Sequence, residues 1–212
     1  MQTFDRAAIK AEAKRIFYAN RGICVGMALV YVLATVVLAT VSFGFLAMLL
    51  IGVIEVTAVG FFLNCWRESP ISVGQAVSET FDEGFLRKLG GMLWMDLKTF
   101  LWSLLFIIPG IYKAIGYVLT PYILYDCPNV PAMGASRISE KIMNGHRMDY
   151  FVALLSFLGW ELLAGITFGI LDVLFVRPYS QLTFAGIYEE LKQIALDTGA
   201  VTAAELDGQI MS

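Results

Sequence analysis

Between Ile23 and Tyr188 the chain runs through six apolar spans arranged as three tight hairpins, and a charged, amphipathic stretch precedes each hairpin. The spans read as 23–41, 45–64, 89–108, 111–126, 150–167 and 169–190, the fourth and fifth being the shortest at 16 and 18 residues. A helix needs about 20 residues, within a range of about 17–25, to cross a hydrocarbon core about 30 Å thick. In lipid every backbone N–H and C=O has to be bonded internally, which leaves helices or closed barrels. Apolar runs of this length without dyad alternation exclude the barrel. Composition agrees: 58% of the residues are hydrophobic and 16% charged, against about 45–50% and 25% in soluble domains. The expected fold is all-α, a polytopic membrane helix bundle of six transmembrane helices in three hairpins, each preceded by a cytosolic amphipathic helix.

Basic residues orient the chain. Arg6, Lys10, Lys14, Arg15 and Arg21 precede the first span; Arg67, Arg87 and Lys88 lie between the second and third. Arg137, Lys141 and Arg147 lie between the fourth and fifth, and Lys192 follows the sixth. The connections Ser42–Gly44, Pro109–Gly110 and Thr167–Gly169 carry no Lys or Arg. Twelve of fifteen basic residues therefore share one side, which the positive-inside rule makes cytoplasmic. Both termini are expected in the cytoplasm and the protein in the plasma membrane. Residues 4–21 read as a weakly amphipathic cytosolic helix rather than a cleavable signal peptide, since no convincing small-residue cleavage site follows the first apolar run.

The chain reads as one integral membrane domain, 1–212, with a faint internal repeat over units 4–64, 70–126 and 130–190 and a tail at 191–212. Ser78, Glu79, Phe81 and Gly84 match Ser139, Glu140, Ile142 and Gly145 at a constant offset of 61. Trp102 pairs with Trp160, Gly110 with Gly169, and Pro121-Tyr122 with Pro178-Tyr179, at offsets of 57 to 59. Unit 4–64 shares only the layout.

The linkers are patterned. In 71–89, Val73, Val77, Phe81, Phe85 and Leu89 recur every four residues, with Gln75, Glu79, Asp82 and Glu83 opposite. In 131–147, Ala135, Ile138 and Ile142 share an arc, with Arg137, Glu140, Lys141 and Asn144 opposite. Apolar stripes at helical period mark one-faced helices, expected here to lie along the cytosolic surface beneath the hairpin that follows. Membrane lipids are the expected partners, and a protein partner at the cytosolic face is a second reading of the more basic helix.

Several motifs resemble a known family. They are the Trp102–Ile111 turn (WSLLFIIPGI), the Tyr125-Asp126-x-Pro128 exit, Ser139 with Met143-x-Gly145-His146, the Gly159-Trp160 pair and Pro178-Tyr179. Together, over about residues 67–191, they resemble the bacterial integral membrane proteins grouped as domain-of-unknown-function family 975. The resemblance implies a six-span plasma-membrane protein with no established activity, and it lends no catalytic residues. Asp96, Glu161 and Arg177 are not part of the family pattern as it stands in this chain.

Ionisable residues inside a membrane cost of order 2.5–3.5 kcal/mol at the centre and are functional candidates by default. Glu55, Asp96, Glu161 and Arg177 are the candidate intramembrane cluster; Lys98, Lys113 and Asp172 are the other span charges, and Lys113 and Asp172 are expected about one turn from the outer face. Arg177 is expected to point into the bundle and bond Glu55 or Glu161, or else carbonyls freed by a kink at Pro178. Pro121 and Pro178 interrupt the fourth and sixth spans at corresponding places, so both are candidate kinks. Kinks improve packing in ordinary bundles, as do small residues such as Gly52, Gly60, Gly116 and Gly165; in transporters they mark substrate sites.

Chemistry is sparse. The single histidine, His146, adjoins Arg147, so imidazoles cannot assemble a metal site. Neither H-E-x-x-H, a nucleophile elbow nor a glycine-rich phosphate loop occurs. Cys24, Cys65 and Cys127 have no metal or redox spacing, and no broad basic patch suits nucleic acid. No catalytic residue, metal site or cofactor is expected. Three readings remain: a non-enzymatic membrane scaffold or accessory protein acting through its cytosolic amphipathic helices, a small transporter using the mid-membrane charges, and, least supported by the residues, an intramembrane enzyme.

Overall fold

The computed structural model describes residues 4–41, 45–81, 84–105 and 107–209. The turn expected at Ser42–Gly44 and the acidic Asp82 and Glu83 of the second linker lie outside the described residues. Among the described residues all regular structure is helical. The helices are α1 (Arg6–Ala19), α2 (Arg21–Val41), α3 (Phe45–Trp66), α4 (Val73–Thr80), α5 (Phe85–Leu105) and α6 (Ile107–Tyr117). They continue as α7 (Thr120–Asp126), α8 (Ala132–Ile142), α9 (Arg147–Ile166), a π-helical segment Asp172–Val176, α10 (Arg177–Asp197) and α11 (Ala203–Leu206).

Local chemistry sets several starts. The Asp5 carboxylate accepts from the backbone N–H of Ala7 and Ala8 at 2.9 and 3.2 Å, the N-cap arrangement that supplies acceptors to orphan helix donors. Ser72 with Gln75 opens α4, and Thr202 with Glu205 opens α11, as capping boxes.

The three hairpins are arranged with α3, α7 and α10 innermost. α3 packs against α5, α7 and α10 as well as its own partner α2, and Val56, Val59, Phe61, Phe62 and Leu63 along it are fully enclosed. Two glycines let the inner helices close up. A Cβ on Gly60 would sit 2.2 Å from the Tyr125 ring, and one on Gly186 would sit 2.4 Å from the Trp66 indole. Gly52 and Gly116 also face neighbours, Met92 and Arg147, whereas nothing packs within 4 Å of a Cβ built at Gly165.

The short helices do not pack chiefly beneath the hairpin after them. α4 packs on α3 and α2; α8 packs mainly on α5, α6 and α7 and also touches α10; α1 lies mainly along α10, with smaller contacts to α2 and α3. The Thr80 hydroxyl on α4 reaches the Thr57 hydroxyl on α3 at 2.7 Å, and Lys14 of α1 lies over the Tyr179 ring, 5.5 Å from its centroid. On α1 and α8 the apolar stripes are the buried faces: Ile9, Ala13, Ile16 and Phe17 of α1 and Ala135, Ile138 and Ile142 of α8. On α4 the expected stripe is corrected, since Ala76 and Thr80 are buried while Val77 and Phe81 are exposed.

The expected spans are met unevenly. α2 (over Arg21–Thr40) and α9 are long and apolar enough to cross a membrane, and Leu50–Trp66 within α3 is a shorter apolar helix. The fourth expected span is two helices, α6 and α7, separated at Val118–Leu119. Pro121 stands in the first turn of α7, where its missing N–H leaves no bond unmade. The Ser139 hydroxyl of α8 bridges the break, donating to the Gly116 carbonyl (2.8 Å) and accepting from the Leu119 N–H (3.1 Å). Pro109 and Gly110 fall inside α6 rather than in a turn. The sixth span begins as the π-helical segment and continues as α10 to Asp197, beyond its expected end. A large apolar surface stays outside this core, on α2, α5 and α9 above all.

Candidate functional site

Arg177 is the first residue of α10, and its side chain is tied to Asp172. Both Nε and a terminal nitrogen of Arg177 lie 2.9 Å from Asp172 Oδ2, and the guanidinium lies over the Tyr31 ring, 4.9 Å from its centroid. This corrects the expectation that Glu55 or Glu161 would be its partner. The π turn explains the correction: the Arg177 N–H bonds the Asp172 carbonyl, an i→i−5 link that stacks residues five apart on one face, which an α-helix would not do. The second Asp172 oxygen, Oδ1, is buried without a hydrogen-bond partner among the described residues.

The rest of the expected cluster assembles only in part. Glu55 on α3 and Asp96 on α5 are half-buried, and Glu55 lies within electrostatic reach of Asp96 and Arg177. Glu161 is exposed on α9 and does not join them. Pro178 occupies the first turn of α10, so it follows the π segment rather than kinking a continuous α-helix. Beside the Asp172–Arg177 pair a groove of about 500 Å³ opens between α2 and the turn 168–170, with Leu29, Val32, Thr35 and Leu174 on its walls.

A second charged layer joins the far ends of the three inner helices, and sequence reasoning did not find it. Arg67, just past α3, donates to Asp126 Oδ1 at 2.6 Å and also to Glu189 of α10. Lys192 and the Tyr188 hydroxyl of α10 donate to Asp126 Oδ2 at 2.5 and 2.9 Å. The Asp126 side chain is 7% exposed. One carboxylate at the end of α7 thus holds together α3, α7 and α10. Next to it, Tyr125 accepts from Asn64 (2.7 Å) and donates to Glu79 (3.1 Å). Arg87 donates to the carbonyls of Leu124, Cys127 (3.3 Å) and Val130 (2.9 Å), supplying donors to the end of α7. Burial, then the neighbouring Asp126, pushes the Cys127 thiol up to about 11. A cleft of about 790 Å³ lies here, lined by Arg67, Glu79, Arg87, Lys88 and Tyr125 among others. The Tyr-Asp-x-Pro exit was the one signal pointing to this place.

A third group stands where α5, α6, α8 and α9 meet. Lys113 pairs with Glu140, and Arg147 approaches the same carboxylate at 3.6 Å. Lys113 thus pairs with α8, a linker helix, rather than standing alone near the outer face. Lys98 donates to Ser136 at 3.1 Å.

Residues 104–195 match the family model described as Protein of unknown function (DUF975). The resemblance to that family is therefore shown over this stretch, which holds Asp126, Glu140, Arg147, Asp172, Arg177, Glu189 and Lys192. Glu55, Arg67 and Asp96 precede the matched stretch. No curated protein and no solved structure matches the chain. Among the described residues no group of three or more His, Cys, Asp or Glu is placed to hold a metal ion.

Proposed function

We propose that this is a multi-pass integral membrane protein with both termini in the cytoplasm, serving as a non-enzymatic scaffold or accessory protein. Three hairpins enter the membrane, with α6–α7 and the π segment–α10 as interrupted return paths. The observation that carries this reading is the apolar surface left uncovered on the outer helices. Val37 on α2, Leu104 on α5 and Ile166 on α9 are 55%, 74% and 75% exposed, among many others on the same faces. Contiguous apolar surface on that scale is not kept in water by a soluble monomer.

The scaffold reading is supported by how the charges are held. Arg177 is neutralised by Asp172 within the hairpin, and the groove beside it shares no residue with the cleft at Arg67. Along α3 between the two levels, Val56, Val59 and Leu63 are enclosed. The apolar faces of α1 and α8 are used internally, so these helices offer polar faces to partners. The transport reading keeps one observation of its own, the π segment and Pro178 beside a groove with an unpartnered carboxylate oxygen, an arrangement π-bulges often mark at functional sites.

Reporter fusions at Gly44, Gly110 and Gly169 should read outside, and fusions after Cys65 and Asn129 inside; an external signal after Asn129 overturns the topology. Ion or solute flux in vesicles reconstituted with the full chain, abolished by Asp172→Asn, would replace the scaffold reading with the transport one.

A further inference from the structure

The group at the meeting of α5, α6, α8 and α9 has more cations and donors than its acceptors satisfy. Lys98, Lys113 and Arg147 converge there on one carboxylate, Glu140, which takes both Lys113 and Arg147. Lys98 lies within electrostatic reach of Glu140, Arg137 and Lys113. Asp149, the other carboxylate at this end of α9, stands two residues from Arg147 and so faces elsewhere. Arg147 Nε is buried with no acceptor among the described residues, an uncompensated donor of the kind that folding normally avoids.

Aromatic rings surround these cations. Lys98 lies 4.9 Å from the Tyr117 ring centroid, Lys113 5.1 Å from Trp102, and Arg147 4.0 Å from Tyr112. Trp102 and Tyr112 are themselves 37% and 55% exposed. Basic groups set between helices, with amphipathic rings beside them, form the pattern that receives anionic lipid headgroups. The neighbouring Leu101, Ile111 and Met148 are exposed, and they give acyl chains an apolar wall directly beside the charges.

We propose that Lys98, Lys113 and Arg147 form a binding site for the phosphate of an anionic glycerophospholipid. The phosphate oxygens supply the acceptors that Glu140 alone does not, and the chains lie along α5 and α9. The proposal rests on the membrane reading above for the bilayer that supplies the lipid.

The test uses the full chain reconstituted in phosphatidylcholine vesicles carrying a minor fraction of either brominated-chain phosphatidylglycerol or brominated-chain phosphatidylcholine. Comparing the chain with Trp102→Phe isolates the emission of Trp102. Brominated phosphatidylglycerol should quench that emission more than brominated phosphatidylcholine at equal mole fraction. Lys113→Gln and Arg147→Gln should each lower the apparent preference roughly fivefold, the effect of about one cation near a membrane surface. Equal quenching of the unaltered chain by the two lipids overturns the proposal without needing any variant. Inorganic phosphate that abolishes the preference also overturns it, since the site would then bind free anion rather than lipid. A chain that does not enter vesicles at all would sink the membrane reading instead, so the two failures are distinguishable.

Discussion

Arg177 holds Asp172 from five residues further along the chain, with two guanidinium nitrogens each 2.9 Å from one carboxylate oxygen. A five-residue ion pair is out of register in an α-helix and in register across a π turn. The local backbone therefore supplied the half-buried arginine with a carboxylate from its own hairpin, and the Tyr31 ring of α2 is its second contact.

Losing one member of a buried pair leaves an uncompensated charge and costs about 3–5 kcal/mol. Arg177→Met and Asp172→Asn should each lower the melting temperature in detergent strongly, by an amount near the lower end of that range because the guanidinium is 29% exposed. The double variant should recover most of the loss. Additive losses in the double variant would show that the two side chains act independently.

Asp126 ends α7 and accepts from Arg67, Tyr188 and Lys192, so Asp126→Asn should destabilise more than Glu189→Gln. Hydrogen bonds to charged groups contribute about 1.5–3 kcal/mol each, and Arg67 keeps Asp126 when Glu189 is neutralised. Thermal unfolding of the two variants side by side checks the order; a larger loss in Glu189→Gln would reverse the assignment.

At Gly186 there is no room for a methyl group, because a Cβ would fall 2.4 Å from the Trp66 indole. Gly186→Ala should cost about 1–3 kcal/mol through overpacking, whereas Gly165→Ala, with nothing within 4 Å, should be near neutral. Equal melting temperatures for the two would contradict the close approach of α3 and α10.

Cys127 lies just beyond α7, its thiol raised from 9.0 to about 11 first by burial and then by Asp126. It should resist maleimide at pH 8 in the folded protein and react after unfolding. The folded state holds the thiol proton more tightly, so this contribution to stability is present below about pH 9 and is lost as pH rises towards 11. Cys127→Ala should flatten that part of the pH profile relative to the unaltered chain; an unchanged slope would show that the thiol does not titrate there.

Parts of this architecture were legible from pattern alone. The hairpins and the helical character of 131–147 follow from runs and stripes of apolar residues, because burial periodicity is written directly into the chain. Pro121 and Pro178 marked the interruptions, since a residue without an N–H stands where a helix starts. The direction in which α8 packs was not legible: an apolar stripe says that a face is covered, not by which helix, and on α4 the covered face was not the stripe at all. The three cations around Glu140 were separately visible as Lys98, Lys113 and Arg147, yet nothing in their spacing put them together.

By itself the sequence determined the helical class, the division into three hairpins with short helices between them, and the crowding of basic residues into the stretches between hairpins. These are properties of neighbours along the chain, set by backbone hydrogen bonding and local hydrophobic period. Only the tertiary structure decided which charges meet. Arg177 turned to Asp172 through a π turn, and Asp126 gathered Arg67, Tyr188 and Lys192 from two other helices. Such pairings depend on how helices cross and rotate, and contacts 59 to 66 residues apart leave no periodic trace in the sequence.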